Sequence, residues 1–147
     1  MRRAVEADQA LIRQMVIREA DLDPTSLHWS HFVMAELGGE VVGLGQIRPH
    51  RGCPELGSIY TRSQFEGQGI AGAVINRLIA DWPQPGPIYL ECQSHNTTFY
   101  QRFGFKEIPW YQAPMPLKFK SGLGNFMGRI FGFRVSAMIL DRPAGQA

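Results

Sequence analysis

Arg62-Ser63-Gln64-Phe65-Glu66-Gly67-Gln68-Gly69-Ile70-Ala71-Gly72 links two segments of opposite character. Before it, Glu55 to Thr61 reads as a strand. After it, Ile70, Val74, Ile75, Leu78, Ile79 and Trp82 recur on one face of a helix, which Pro83-Gln84-Pro85-Gly86-Pro87 stops. Small residues at such a junction let the backbone curl closely around a ligand. Successive N–H groups then point inward as a nest, and the helix N-terminus adds its positive end. A diphosphate is the natural occupant. A glycine-rich turn that merely starts a helix is the other reading. The glycine spacing differs from a dinucleotide fingerprint, and no Gly-Lys-Ser/Thr follows to make a nucleotide P-loop.

Outward from the loop, the chain alternates short elements. Residues 8 to 20 carry Leu11, Ile12, Met15, Val16 and Ala20 at helical spacing. Leu22-Asp23-Pro24-Thr25-Ser26-Leu27 breaks that stripe and is expected to start a short second helix with a proline in its first turn. Phe32 to Leu37 and Glu40 to Arg48 flank Gly38-Gly39, which is a hairpin signal. Residues 49 to 54 read as a loop, and Ile88 to Cys92 as a strand. Asn96 is expected to cap a short helix carrying Phe99, Tyr100 and Phe103, which Gly104 ends. Phe105 begins another strand and Arg134 to Leu140 forms the last. Between them Leu123, Phe126, Met127, Ile130 and Phe131 fall at helical spacing. A strand–helix–strand unit around the glycine loop calls for a parallel crossover, with antiparallel strands before it. The fold class is α+β: a mixed, mostly antiparallel central sheet with helices on both faces.

The bulk composition sets bounds. The chain has 147 residues, 44% hydrophobic and 19% charged, with a net charge of +2. That suits one domain spanning 1–147 and gives no ground for nucleic-acid binding. Two cysteines, Cys53 and Cys92, make neither a disulfide framework nor a zinc motif. The N-terminus lacks the apolar run of a signal peptide, and no stretch is apolar enough to span a bilayer. A cytoplasmic protein with reduced thiols is expected. Between Glu107 and Asp141 there is no acidic residue, whereas Lys118, Lys120, Arg129 and Arg134 are present. The apolar stripe from Leu123 to Phe131 must pack on something: the domain's own sheet first, or an acceptor cleft, a dimer partner or a membrane surface.

The loop resembles that of the GNAT superfamily of N-acetyltransferases, whose Arg/Gln-x-x-Gly-x-Gly/Ala motif holds the pyrophosphate of acetyl-CoA on backbone amides. Gly69 and Ala71 match its small positions, and Glu66 stands where the family has Arg or Gln. Downstream, Phe99-Tyr100-Gln101-Arg102-Phe103-Gly104-Phe105 is similar to the arylalkylamine N-acetyltransferase branch, with Cys92 eight positions before Tyr100. The resemblance covers roughly residues 1 to 110 and the last strand. Nothing carries over onto the atypical segment 114–132.

What the resemblance implies is an acetyl-CoA-dependent N-acetyltransferase acting by direct attack of an amine, with no metal. A non-catalytic acetyl-CoA sensor is the alternative, kept open by Glu66. The coenzyme is expected on Ile59, Tyr60 and Thr61, on Glu66, Gly67, Gln68, Gly69, Ile70, Ala71 and Gly72, and on Asn96 and Tyr100. A backbone N–H near Tyr60 or Thr61 meets the oxyanion. An alkylamine is protonated at pH 7, so a base is needed. Glu55, opening the strand before the loop, matches the family's base by position. His50 is the alternative base. Tyr100 is expected to protonate the departing thiolate. His28 and Trp29, with His50, are candidates to line the acceptor pocket. His31 belongs to the same region, and packed or surface roles suit these histidines equally. Cys92 near His95 is set aside as a nucleophile, because direct transfer needs none. The partners expected are acetyl-CoA, a small-molecule or protein amine and a second copy in a homodimer.

Overall fold

The computed structural model describes residues 1–20, 22–115, 117, 125–130, 132 and 134–143. Leu123 and Phe131 of the apolar stripe, and Lys118 and Lys120, lie outside the described residues. The chain forms two compact units, Met1–Arg48 with Gly57–Trp82, and Pro49–Leu56 with Pro83–Ala147.

The first unit holds strands β1 (Arg2–Arg3), β2 (Phe32–Leu37) and β3 (Glu40–Arg48), and most of β4 (Glu55–Thr61). Its helices are α1 (Gln9–Arg13), continued by a π-helical turn over Gln14–Glu19, and α2 (Ile70–Asp81). The apolar stripe of the first helix is buried at Ile12, Met15 and Val16, which cluster with Phe32, Met34 and Leu44. Gly38 and Gly39 turn the β2–β3 hairpin with φ of 57° and 82°. Two left-handed residues are what a two-residue turn needs to match the twist of its strands.

The contact of α2 with β3 depends on two further glycines. A Cβ on Gly45 would stand 2.5 Å from Ile59 Cδ1 and 2.8 Å from Val74 Cγ1, and one on Gly43 would stand 2.8 Å from Ile70 Cγ2. Their bare surface lets α2 lie close, burying Val74, Ile75 and Leu78. The start of α2, where the glycine loop ends, is thereby set against β3.

The second unit holds the first two residues of β4, with β5 (Ile88–Gln93), α3 (Thr97–Gln101), β6 (Lys106–Ile108) and β7 (Val135–Leu140). Glu55 and Leu56 pair in parallel with Tyr89 and Leu90. β7 is antiparallel to β5, from Ile88↔Leu140 to Gln93↔Val135, and antiparallel to β6. Cys53, Ala113, Leu117 and Ala137 are buried together, with Tyr89 and Ile108 against them. Hydrogen-bonding order through the strands is β1-β2-β3-β4-β5-β7-β6, with β1/β2 and β2/β3 also antiparallel. The expected mixed, mostly antiparallel sheet is present. No described helix is long and apolar enough to cross a membrane.

Three local expectations need correction. No helix forms over residues 22–27. Asp23 accepts the Thr25 N–H at 2.9 Å and the Thr25 hydroxyl at 2.7 Å, a local turn that competes with helix. A 3₁₀ turn at Trp29–His31 stands there instead. Asn96 occupies the position before α3 but makes no side-chain cap. A 3₁₀ turn over Ser94–Asn96 already leads in, leaving Asn96 in helical conformation. The described part of the apolar stripe is not packed on the protein: residues 125–130 are helical, yet Phe126 and Ile130 are 62% and 63% exposed. The buried residue of that helix is Gly128.

Candidate functional site

In the first unit, β4 leads through a 3₁₀ turn at Ser63–Phe65 into the glycine loop. Gly67 and Gly69 have φ of 75° and 80°, and nothing lies within 4 Å of where a Cβ would be. Glycine is therefore required by backbone conformation and not by crowding. Ala73 N–H is bonded to the Gly69 carbonyl at 3.0 Å. The amides of Ile70, Ala71 and Gly72 precede it, and a helix offers such N–H groups no partner of its own. Glu66, Gly67, Gln68 and Gly69 are exposed, whereas Ile70, Ala71 and Gly72 are half-buried. The Glu66 carboxylate thus has open solvent in which to turn away from a bound anion.

Ile59, Tyr60 and Thr61 form the half-buried end of β4. The Tyr60 hydroxyl donates to Glu19 at 3.4 Å. Burial, then the Glu19 charge, push its pKa above the usual phenol value. Thr61 Oγ1 is buried with no hydrogen-bond partner, a polar atom held ready at the strand end.

Upstream in β4 lies a group that sequence reasoning missed. Ser58 sits inside the strand with φ of 52°. A non-glycine residue there costs of order 1–3 kcal/mol and must be held by its surroundings. The holders come from β3. Gln46 Nε2 donates to Ser58 Oγ at 2.9 Å and Arg48 Nη2 at 3.2 Å. Gln46 and Arg48 are 0% and 2% exposed, and Asp23 stands 3.6 Å from the guanidinium. A Cβ on Gly57 would meet Arg48 Nη1 at 2.5 Å. The signal in the sequence was two polar residues, i and i+2, on one face of an apolar strand.

The second unit contains the acid–base candidates. The turn at residues 51–52, closed by Cys53 N–H to the His50 carbonyl at 3.0 Å, folds His50 back toward Glu55. His50 Nε2 lies 3.3 Å from Glu55 Oε2. Glu55 is 4% exposed, and the His50 side chain 27%. The two rival bases are therefore partners in one pair.

Tyr100, on α3, is flanked edge-on by Phe99 at 5.1 Å and Phe105 at 6.3 Å. Burial, with a smaller contribution from Cys92, pushes its pKa up to about 12, so at neutral pH the phenol keeps its proton. Burial likewise pushes the Cys92 thiol up to about 11. It is not a thiolate at neutral pH and is unsuited to nucleophilic attack. Asn96 is exposed at the head of α3.

The acceptor-side candidates are divided. His28 and Trp29 belong to the first unit and His50 to the second. His28 also serves its own backbone. Its Nδ1 accepts Ser30 N–H at 3.3 Å, capping the 3₁₀ turn, and its ring stacks on Trp29 at 5.4 Å. Trp29 N–H is bonded to Gln9 at 3.0 Å.

Known structures share this architecture. N-acetylglutamate synthase from Neisseria gonorrhoeae, solved with coenzyme A and N-acetyl-glutamate, aligns over 97% of this chain with TM-score 0.75 and 14% identity. The chain spans 35% of that protein's length. A Mycobacterium tuberculosis protein solved with coenzyme A aligns over 97% of this chain and 98% of its own, with TM-score 0.72 and 23% identity. The ribosomal-protein-S18-alanine N-acetyltransferase of Escherichia coli aligns over 97% and 94%, with TM-score 0.66 and 16% identity. At these identities the likeness is one of fold. No curated protein sequence matches the chain. Residues 5–105 match the acetyltransferase (GNAT) family, a span that takes in α1, the β2–β3 hairpin, the glycine loop and α3. With the glycine loop, the strand order and that match in agreement, this chain belongs to the acetyltransferase (GNAT) family.

Proposed function

We propose that residues 1–147 act as one acetyltransferase domain that moves the acetyl group of acetyl-CoA to an amine by direct attack. The observation that carries this reading is the loop at 66–72. Its left-handed Gly67 and Gly69 lead into the N-terminus of a twelve-residue helix, a cradle suited to a pyrophosphate. Ile59, Tyr60 and Thr61 are assigned to the pantetheine arm, and Asn96 and Tyr100 are assigned as coenzyme contacts. A backbone N–H near Tyr60 or Thr61 is assigned to the oxyanion.

In the reaction the amine nitrogen forms a bond to the thioester carbon and the carbon–sulfur bond breaks. Glu55, buried beside His50, takes the proton lost by the amine. Tyr100 returns a proton to the sulfur. His28 and Trp29 are assigned to the acceptor side. The similarity of the Tyr100–Phe105 run to the arylalkylamine branch supports a small amine as acceptor. Action in the cytoplasm and as a homodimer belong to the same proposal.

Calorimetry with coenzyme A tests the reading. Gly69→Asp adds a side chain where φ is 80° and a negative charge at the phosphates, so affinity should fall by at least about tenfold. Unchanged affinity would refute the loop assignment. Thiol release from acetyl-CoA on adding candidate amines then separates an enzyme from a coenzyme sensor.

A further inference from the structure

We infer that one surface of the second unit docks on an anionic phospholipid membrane, through the helix at 125–130 and the aromatic turn Trp110–Gln112. Among the described residues ten large apolar side chains are exposed, and six of them are Trp110, Tyr111, Met115, Phe126, Met127 and Ile130. The helix and the turn are neighbours, since Trp110 lines one cavity with Asn125, Gly128 and Arg129. Exposed apolar side chains scattered singly need no explanation, whereas a cluster of them marks a contact surface.

The helix is held with its apolar side outward. Phe126 and Ile130, one turn apart, are 62% and 63% exposed, and Met127 is 38% exposed. The buried position is Gly128, which has no side chain to pack. At the head of the helix Asn125 Oδ1 accepts the Val135 N–H at 3.1 Å, tying it to β7. An ordinary surface helix turns its apolar stripe to its own core. Here the bare residue faces in and the apolar ones face out.

Charge names the occupant. Between Glu107 and Asp141 stand Lys118, Lys120, Arg129 and Arg134 and no acidic residue. The other eleven lysines and arginines share the rest of the chain with all thirteen acidic residues, so that part is net negative. Arg129 and Arg134 are exposed, the first on the apolar helix itself. An arginine can lay its stem on apolar surface and keep its charged head among phosphates. Anionic lipid attracts such a basic segment. Trp110 and Tyr111 suit the headgroup boundary, being apolar in body and polar at one end. A second copy suits the surface less well, because a two-fold contact would set this positive face against itself. Nucleic acid supplies phosphates but gives Met127 and Ile130 little to bury against. No described helix is long and apolar enough to cross a membrane, so the contact is one of lying on the surface.

Co-sedimentation of the full chain with vesicles tests the inference. The probes are vesicles of phosphatidylcholine alone and of phosphatidylcholine mixed with phosphatidylserine. The mixed vesicles should bind at least about tenfold more tightly at low salt, since each lysine or arginine near the surface contributes about fivefold. Salt at about 0.5 M should weaken that binding severalfold by screening. Phe126→Ser with Ile130→Ser should weaken it at least about tenfold by withdrawing apolar surface. Arg129→Gln should weaken it about fivefold. All three side chains are exposed, so melting curves and coenzyme A affinity should match the parent. The inference is overturned if the mixed vesicles do not bind, if neutral vesicles bind equally, or if folded variants keep parental binding. A dimer that the double serine variant dissociates, or tighter binding to duplex DNA than to the mixed vesicles, equally overturns it.

Discussion

Glu55 and His50 illustrate how a side chain's neighbours decide its chemistry. Each is a candidate base in the sequence, and their 3.3 Å separation makes them one device. Groups acting as a unit are non-additive when removed. Glu55→Gln and His50→Asn should each slow turnover by ~10²–10⁴-fold, and the double variant should be no slower than the worse single one. Both should alter the ascending limb of the pH–rate profile. Steady-state kinetics across pH would show independent, multiplying effects if the pair does not work together. Tyr100→Phe should lower turnover within the same ~10²–10⁴ range and leave coenzyme A affinity nearly intact. Burial of Tyr100 also has a stability consequence. A phenol whose folded pKa is raised to about 12 favours folding fully below its unfolded value. That contribution is lost as pH rises from about 10 through 12, because the unfolded chain gives up its proton first. Tyr100→Phe should therefore flatten the alkaline fall of the melting temperature.

At the level of elements, the association of α2 with β3 sets where the glycine loop ends. Helix periodicity and the proline stop make α2 legible in the sequence, because both are local properties. The role of Gly43 and Gly45 is not legible there. In a strand pattern they read as neutral or weakening residues, and only the approach of Ile70 and Val74 gives them a purpose. Gly45→Val should force the helix outward at a cost of about 1–3 kcal/mol, the usual range for overpacking. Denaturant unfolding measures that loss. Calorimetry should show coenzyme A affinity falling with it, whereas a stable variant with parental affinity would mean that α2 does not depend on the bare floor of β3. The segment after Leu22 gives the converse lesson. Its proline and spacing suit a helix, but the Asp23 carboxylate claims the Thr25 amide first.

For the whole molecule, burial separates residues that composition treats alike. Phe32 is 1% exposed and Phe126 is 62% exposed. Phe32→Ala should cost ~3–5 kcal/mol by leaving a cavity. Phe126→Ser should stay within about 0.5 kcal/mol, as exposed substitutions do. Chemical denaturation of both variants distinguishes them, and a large loss for Phe126 would mean that its ring is covered in solution. The exposed side of helix 125–130, with Ile130 beside Phe126, is a surface that amphipathic spacing assigns to a core. Spacing shows which residues share a side. It carries no information on what that side meets.

Local chemistry was enough for the strand limits at Phe32–Leu37, Glu40–Arg48 and Glu55–Thr61, the Gly-Gly hairpin, the glycine loop and the start of α2. Each depends on a few adjacent residues: a turn that needs positive φ, a period of two or of 3.6, a proline that ends a helix. Contacts between distant residues were decided by the fold alone. They include the convergence of Gln46 and Arg48 on a strained Ser58, the union of His50 with Glu55, and the hydrogen-bonded run of Ser94, Ser136 and Glu107, at 2.8 Å and 2.7 Å. Two of these sets assemble across strands that are neighbours in the sheet, and the third across a turn. Strand register and backbone path bring such groups together. A polar residue's partner is therefore a property of topology, whereas its capacity to donate or accept is already written in its side chain.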